Sequence, residues 1–138
     1  MADSRAECTW EGNLSNGNGI LTVESGAFGP LPVTWAGRTQ RTSGKTSPEE
    51  LIAGALASCW CMALSHGLTQ AGTPPTKLHS TVIITFEGGK VSPARVTVTG
   101  TVPGIDQAKF DEVARGGCPV SRALTGVEII VESAILEN

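Results

Sequence analysis

The chain has 138 residues, with 10 Lys and Arg against 13 Asp and Glu, and its formal net charge is −3 at pH 7. This length is enough for one domain with a sizeable core, and the scattered basic residues argue against nucleic acid or an anionic membrane as a main partner. Three Trp, three Phe and no Tyr leave no aromatic surface on which single-stranded bases would stack.

The N-terminus and the four cysteines bear on the compartment. Residues 1–7 contain no apolar stretch of the kind that a secretory signal requires, so we expect a cytoplasmic protein. In that compartment, four cysteines favour free, catalytic or metal-bound thiols over a disulfide framework.

Strands separated by turns are predicted for the first part of the chain. Residues 8–11 and 20–24 read as two strands, and the Asn-Gly steps within residues 12–19 predict the hairpin turn between them. A third strand is predicted for residues 33–36. The polar residues 38–45 then lead, as a loop, to the next element.

A long helix is predicted to begin at residue 47. Ser47 suits the N-cap, Pro48 suits the first helical position, and Glu50 falls where a capping box requires it. Residues 51–64 carry no charge, and both sides of the helix are apolar: Leu51, Ala55, Cys59, Met62 and Ala63 on one, and Ala53, Ala57, Trp60 and Leu64 on the other. We therefore expect this helix to be buried nearly all round and to end near residue 71. The uncharged run is too short to span a bilayer.

The remainder of the chain predicts a second hairpin, two short helices and a last strand. The hairpin joins residues 78–87 to residues 94–102 through a Gly-Gly turn. The predicted short helices are residues 105–114, with Ile105, Ala108, Phe110 and Val113 facing inward, and residues 119–124, and the last strand is residues 127–135.

Blocks of strands that do not alternate with helices indicate an α+β fold with antiparallel sheets, formed by residues 1–138 as a single domain. A long helix that is apolar on all sides needs cover on more than one face. One chain of this size would struggle to supply that cover, so we expect a homodimer with a shared core.

Two cysteines, Cys59 in the long helix and Cys118 before the last short helix, are either buried core residues or a redox pair. Free cysteine is among the most buried residue types, which favours the first reading. The second is favoured because Cys118 lies at a predicted helix N-terminus, where backbone N–H groups stabilise a thiolate. A metal site that also includes Cys8 and Cys61 would lack the usual Cys-x-x-Cys spacing, and Cys61 is too close in sequence to Cys59 to form a disulfide with it in a helix.

A nucleophilic thiol in apolar surroundings needs a nearby cation, because burial raises its pKa further above about 8.5. Arg38 and Arg41 are the two candidates before the helix, with surface solvation as the alternative for either. Glu49 has no local role and would hold such an arginine in a bidentate pair. Ten residues of helix separate Glu49 from Cys59 by roughly 15 Å, so direct contact within one helix is excluded. His66 falls on the same face as Cys59 but two turns away.

Several motifs, in the expected order over nearly the whole chain, resemble those of the OsmC/Ohr family of thiol peroxidases, and of its OsmC branch in particular. They are Thr9-Trp-Glu-Gly12, Val23-Glu-Ser-Gly26, Ser47-Pro-Glu-Glu-Leu-Ile52, Ala57-Ser-Cys59, Met62-Ala-Leu-Ser65, Val102-Pro-Gly-Ile-Asp106 and Gly117-Cys-Pro-Val-Ser121. The resemblance implies an OsmC-like α+β fold, with sheets packed around central helices that pair in an intertwined homodimer.

The resemblance also implies reduction of organic hydroperoxides, and of hydrogen peroxide less efficiently, in defence against oxidative and osmotic stress. It implies that Cys59 is the peroxidatic cysteine and Cys118 the resolving one, with Glu49 orienting Arg38 or, in its place, Arg41. An external dithiol would then reduce the resulting disulfide. No cofactor is expected. The alternative is a non-catalytic dimer of the same fold that binds a small ligand or senses oxidant.

Overall fold

The computed structural model describes residues 1–138 as eight strands and four helices. In chain order these are β1 (Ala6–Glu11), β2 (Asn18–Val23), β3 (Leu31–Val33), α1 (Trp35–Gln40), α2 (Pro48–Gln70), β4 (Lys77–Ile83), β5 (Phe86–Glu87), β6 (Lys90–Val91), β7 (Ala94–Thr101), α3 (Gln107–Ala114), α4 (Pro119–Ala123) and β8 (Ile129–Leu136). The predicted α+β class and the long helix are confirmed. Residues 1–51 and 52–138 form two compact units, which we describe separately.

The first unit contains an antiparallel sheet in the order β1-β2-β3. Gly19 of β2 pairs with Trp10 of β1 and with Val33 of β3. A Cβ atom on Gly19 would lie 2.9 Å from the Trp10 ring and 2.8 Å from a methyl group of Val33, so only glycine fits between them. The predicted hairpin between the first two strands is confirmed.

The third strand is shorter than predicted. It ends at Val33, because the Thr34 hydroxyl accepts the Gly37 N–H at 3.0 Å and caps helix α1. The prediction of a strand over residues 33–36 and a loop from residue 38 was therefore wrong, and Arg38 lies in the last turn of α1.

Helix α2 begins as predicted, with half of the predicted capping box. The Ser47 hydroxyl accepts the Glu50 N–H at 3.1 Å. The Glu50 carboxylate instead accepts the Thr46 hydroxyl at 2.9 Å and pairs with Arg41 at 3.1 Å. The reciprocal bond back to the cap is thus replaced by contacts to residues that precede the helix.

One stripe of α2 is buried rather than its whole circumference. Leu56, Trp60, Leu64 and Leu68 recur every four residues and are at most 3 % exposed. Ala55 is exposed and Met62 is 72 % exposed, so the prediction of burial on all sides was wrong for the single chain. By length and composition alone the 23-residue helix could cross a bilayer, contrary to the prediction from its uncharged run. Its buried stripe belongs to the protein core, which identifies α2 as a core helix.

The second unit contains a three-stranded sheet in the order β4-β7-β8, and a small hairpin of β5 and β6. Strands β4 and β7 are antiparallel, as predicted, whereas β8 runs parallel to β7. The antiparallel prediction was wrong for this last strand, since the connection through α3 and α4 is long enough to return the chain to the same end of the sheet. Alternate residues of β7, namely Ala94, Val96, Val98 and Gly100, are buried.

Helix α3 packs against this core from Phe110 onward. Phe110 and Ala114 are buried, and Val113 packs against the core cluster. Ala108 is exposed, so its predicted inward position was wrong. A Cβ atom on Gly100 would lie 2.8 Å from the Phe110 ring, which shows how closely helix and sheet approach. Helix α4 begins at Pro119, as predicted, with Cys118 as its N-cap.

Candidate active site

The backbone around Cys118 fixes its side chain at the start of α4. Gly117 has a positive φ of 76°, and Cys118 returns to an extended conformation as the N-cap. The Ser121 N–H donates to the Cys118 sulfur at 3.4 Å, and the Cys118 N–H donates to the Ser121 hydroxyl oxygen at 2.9 Å. This is a capping box in which a thiol takes the place of the usual hydroxyl. The Cys118 residue is 0 % exposed.

Cys59 lies in the middle of α2 and is the neighbour of Cys118. Its side chain is half-buried and packs against the core cluster that contains Cys118. The Cys118 thiol and the Val120 N–H lie close enough to the Cys59 sulfur for both to act on its pKa. The structure therefore brings the two predicted redox cysteines together as free thiols at the N-terminus of α4.

The pKa values of the two thiols are shifted in opposite directions. Burial raises the pKa of the Cys59 thiol, the neighbouring Cys118 sulfur raises it further, and the Val120 N–H opposes both. Burial also acts to raise the pKa of Cys118, but donation from the Ser121 N–H and from the Cys59 thiol outweighs it, and the net pKa of Cys118 is lowered. As the pH rises, Cys118 is therefore the first of the two reduced cysteines to lose its proton and become a thiolate.

Arg122 is a charged neighbour of the pair that the sequence analysis did not single out. Its positive charge acts to lower the pKa of the Cys59 thiol. Its backbone N–H donates to the Cys118 carbonyl at 3.1 Å, which places it in the first turn of α4. Its position directly after Ser121 is the signal that could have identified it, since side chains of a first turn surround the N-cap.

A second pair of predicted residues meets in the first unit. Arg38 donates from Nε to both carboxylate oxygens of Glu49, at 3.0 and 3.2 Å, and from a terminal nitrogen to one of them at 2.6 Å. The Glu49 side chain is 6 % exposed and that of Arg38 is 30 % exposed. The predicted bidentate pair is present, and Arg38 is the arginine that forms it. Arg41 instead pairs with the exposed Glu50 and donates to the Lys45 carbonyl at 2.9 Å.

The other candidates occupy separate surroundings. Cys61 contacts the Ser80 hydroxyl at 3.4 Å, and that hydroxyl donates to the Ala57 carbonyl at 2.7 Å, so the contact ties α2 to β4. Cys8 is exposed on β1. His66 is exposed on α2, at a distance of two turns from Cys59. No group of three or more His, Cys, Asp or Glu side chains is arranged to hold a metal ion.

Solved structures with the same fold come from several bacteria. An organic hydroperoxide resistance protein from Elizabethkingia anophelis superposes with a TM-score of 0.73, at 20% identity, and covers 100% of this chain and 98% of that one. An OsmC-like protein from Mycoplasma pneumoniae gives a TM-score of 0.72 at 12% identity, covering 99% of each chain. OhrB of Bacillus subtilis gives 0.62 at 21% identity, covering 96% of this chain and 98% of that one. At these identities the likeness defines the class of fold, that of the OsmC and organic hydroperoxide resistance proteins.

Sequence comparison identifies the family within that class. Residues 41–132 match the family model described as OsmC-like protein. The chain is 35% identical over 127 residues to the protein named peroxiredoxin OsmC in Escherichia coli, with 87% of this chain and 88% of that protein covered, and equally similar to the protein of that name in Shigella flexneri. The chain belongs to the OsmC family.

Proposed function

We propose that the protein is a cysteine-based peroxidase that reduces organic hydroperoxides. Support comes from membership of the OsmC family and from the names of its relatives, which are a peroxiredoxin and organic hydroperoxide resistance proteins. The observation that carries the proposal is the proximity of Cys59 and Cys118 at the start of α4, where each thiol shifts the pKa of the other. Two free thiols in contact can alternate between a dithiol and a disulfide with little rearrangement of the chain.

In the proposed reaction, the Cys59 thiolate attacks the outer oxygen of the hydroperoxide. The O–O bond breaks, Cys59 becomes a sulfenic acid, and the leaving alkoxide takes a proton to give the alcohol. The Cys118 thiolate then attacks the Cys59 sulfur and displaces hydroxide, which is protonated to water. The lowered pKa of Cys118 suits this resolving step, since it increases the fraction of Cys118 that is thiolate. An external dithiol completes the cycle by reducing the disulfide.

The first step requires the Cys59 thiolate, and burial disfavours it. We propose that Arg38 supplies the necessary positive charge and polarises the peroxide, while Glu49 fixes the orientation of its guanidinium. The bidentate contact and the burial of Glu49 support this assignment over Arg41. Arg122 adds a further positive charge to the surroundings of Cys59.

We also propose that residues 1–138 act as a single OsmC-like domain in a cytoplasmic homodimer. The face of α2 that the chain does not cover supports the dimer. Met62, an apolar side chain on this face, is 72 % exposed, and a second copy would bury it. Met62→Lys should shift the protein towards monomer in sedimentation equilibrium, whereas Leu14→Lys, a change at an exposed apolar residue in the turn between β1 and β2, should not. A protein that remains monomeric at all concentrations would refute the dimer.

Turnover of an organic hydroperoxide with a dithiol tests the proposed function. Wild type should complete many turnovers. Cys59→Ser should complete none, and Cys118→Ser should accumulate a sulfenic acid that a dimedone-type reagent traps. Cys61→Ser is the matched control, since its thiol contacts Ser80 rather than the redox pair. Full activity in Cys59→Ser would refute the assignment, and one oxidant equivalent per subunit without turnover would indicate the non-catalytic, oxidant-sensing alternative.

A further inference from the structure

We propose that the external thiol attacks the sulfur of Cys59 in the Cys59–Cys118 disulfide, and that Cys118 is always the leaving group. This inference rests on the proposed function, because it concerns the disulfide formed there. It assigns the mixed-disulfide intermediate to one cysteine, and it gives Ser121 a role as the positioning residue that stabilises the departing sulfur.

Access distinguishes the two sulfur atoms. Cys118 is 0 % exposed and belongs to a buried cluster with Trp60, Phe110 and Ala114. Cys59 is only half-buried. A hydroperoxide must reach the Cys59 sulfur in the first half of the cycle, so a route to that atom is required in any case. A thiol that attacked Cys118 would need a second route, through packed side chains.

The pKa values of the two cysteines also favour attack on Cys59, with Cys118 as the leaving group. In thiol–disulfide exchange, the sulfur whose thiol has the lower pKa departs faster. The Cys118 sulfur accepts the Ser121 N–H at 3.4 Å, and the pKa of Cys118 is lowered, whereas burial raises that of Cys59. The negative charge released by the attack on Cys59 therefore develops on a sulfur that already has its donors in place.

The two steps balance without a further reactant. The first thiolate of the dithiol forms a bond to the Cys59 sulfur, the bond between the two protein sulfurs breaks, and Cys118 leaves as the thiolate. The second thiol of the reductant then attacks its own mixed disulfide. This releases Cys59, which takes up the proton, and the reductant leaves oxidised as a disulfide. The protein gains two electrons and the reductant loses two.

Trapping of the mixed disulfide tests the inference. Wild-type protein is oxidised with one equivalent of hydroperoxide and freed of excess reagent. It is mixed briefly with 2-mercaptoethanol, which lacks the second thiol, and is then quenched in acid and alkylated. Tryptic cleavage separates residues 46–77, which contain Cys59 and Cys61, from residues 116–122, which contain Cys118, and fragment mass spectra distinguish the first two. We expect the adduct on Cys59 and the alkyl group on Cys118.

An adduct on Cys118, or equal amounts on both cysteines, would overturn this inference and leave the peroxidase proposal intact. Failure of hydroperoxide to form the disulfide would overturn the proposed function and this inference with it. Ser121→Ala provides a second readout, because it removes the hydroxyl that accepts the Cys118 N–H and donates to the Cys118 carbonyl, and so loosens the cap that aims the Ser121 N–H at the departing sulfur. We expect reduction of its disulfide by 2-mercaptoethanol to slow about tenfold, whereas Ser15→Ala, a change on an exposed turn, should leave the rate unchanged. An unchanged rate in Ser121→Ala would overturn the role of Ser121 as the positioning residue for the departing sulfur.

Discussion

Removal of the arginine from the Arg38–Glu49 pair should destabilise the protein more than removal of the glutamate. In Arg38→Met, the Glu49 carboxylate remains 6 % exposed and loses all three hydrogen bonds that it accepts from Arg38. Breaking a buried pair in this way costs about 3–5 kcal/mol. We expect the lower end of that range, about 3 kcal/mol, because the N–H groups in the first turn of α2 favour a negative charge there.

In Glu49→Gln, the charge left behind is that of Arg38, whose side chain is 30 % exposed and reaches water. Its loss of a partner should therefore cost only about 1–2 kcal/mol, between the values for exposed and buried pairs. The double variant should be more stable than Arg38→Met alone, because it leaves no buried charge.

Urea denaturation at one fixed protein concentration measures these differences. Arg41→Met and Glu50→Gln are matched controls, since their pair is more than half exposed on both sides and should contribute about 1 kcal/mol or less. The reasoning would be refuted if Glu49→Gln were as destabilising as Arg38→Met, or if the double variant were no more stable than Arg38→Met.

Three further outcomes follow from the second unit. Trp60→Phe removes the indole N–H that donates to the Ala114 carbonyl at 2.9 Å and should lower the free energy of unfolding by about 1–3 kcal/mol, as measured in urea. Gly100→Ala places a methyl group 2.8 Å from the Phe110 ring, so overpacking should cost about 1–3 kcal/mol in the same assay, and no loss would contradict the close packing. Because the folded-state pKa of Cys118 is lowered, its stabilising contribution is present above the unfolded thiol pKa of about 8.5 and is lost as the pH falls through the folded pKa. The stability of wild type relative to Cys118→Ser should therefore increase with pH up to about 8.5, and a flat difference would contradict this.

Features determined by neighbouring residues could be predicted from the sequence. The start of α2 at Ser47 and that of α4 after Cys118 depend on side chains within three residues, and both predictions are confirmed. The strand predicted beyond Val33 failed because Thr34 caps a helix there instead, and a threonine in a β-branched run is equally typical of a strand.

Features determined by distant parts of the chain could not be predicted. The direction of β8 depends on where α3 and α4 return the chain, and periodicity carries no information about that. The apolar residues around α2 likewise do not reveal which of its faces the same chain covers. The choice between Arg38 and Arg41 was open for the same reason. Helix α1, which lies where the sequence predicts a loop, carries Arg38 and so resolves the choice for the Glu49 pair.

The separation of Cys59 and Cys118 along the chain would give the proposed redox cycle a thermal signature. A disulfide between them would close a loop of 59 residues that contains the sheet strands β4 and β7 and helix α3. By loop-closure entropy this corresponds to a stabilisation of about 4 kcal/mol, which for a chain of this size raises the melting temperature by roughly 14 °C. In each turnover the protein would thus alternate between a reduced form with a lower melting temperature and an oxidised form with a higher one. A cell short of reductant would accumulate the resistant form, and the melting temperature of the purified protein would report its oxidation state.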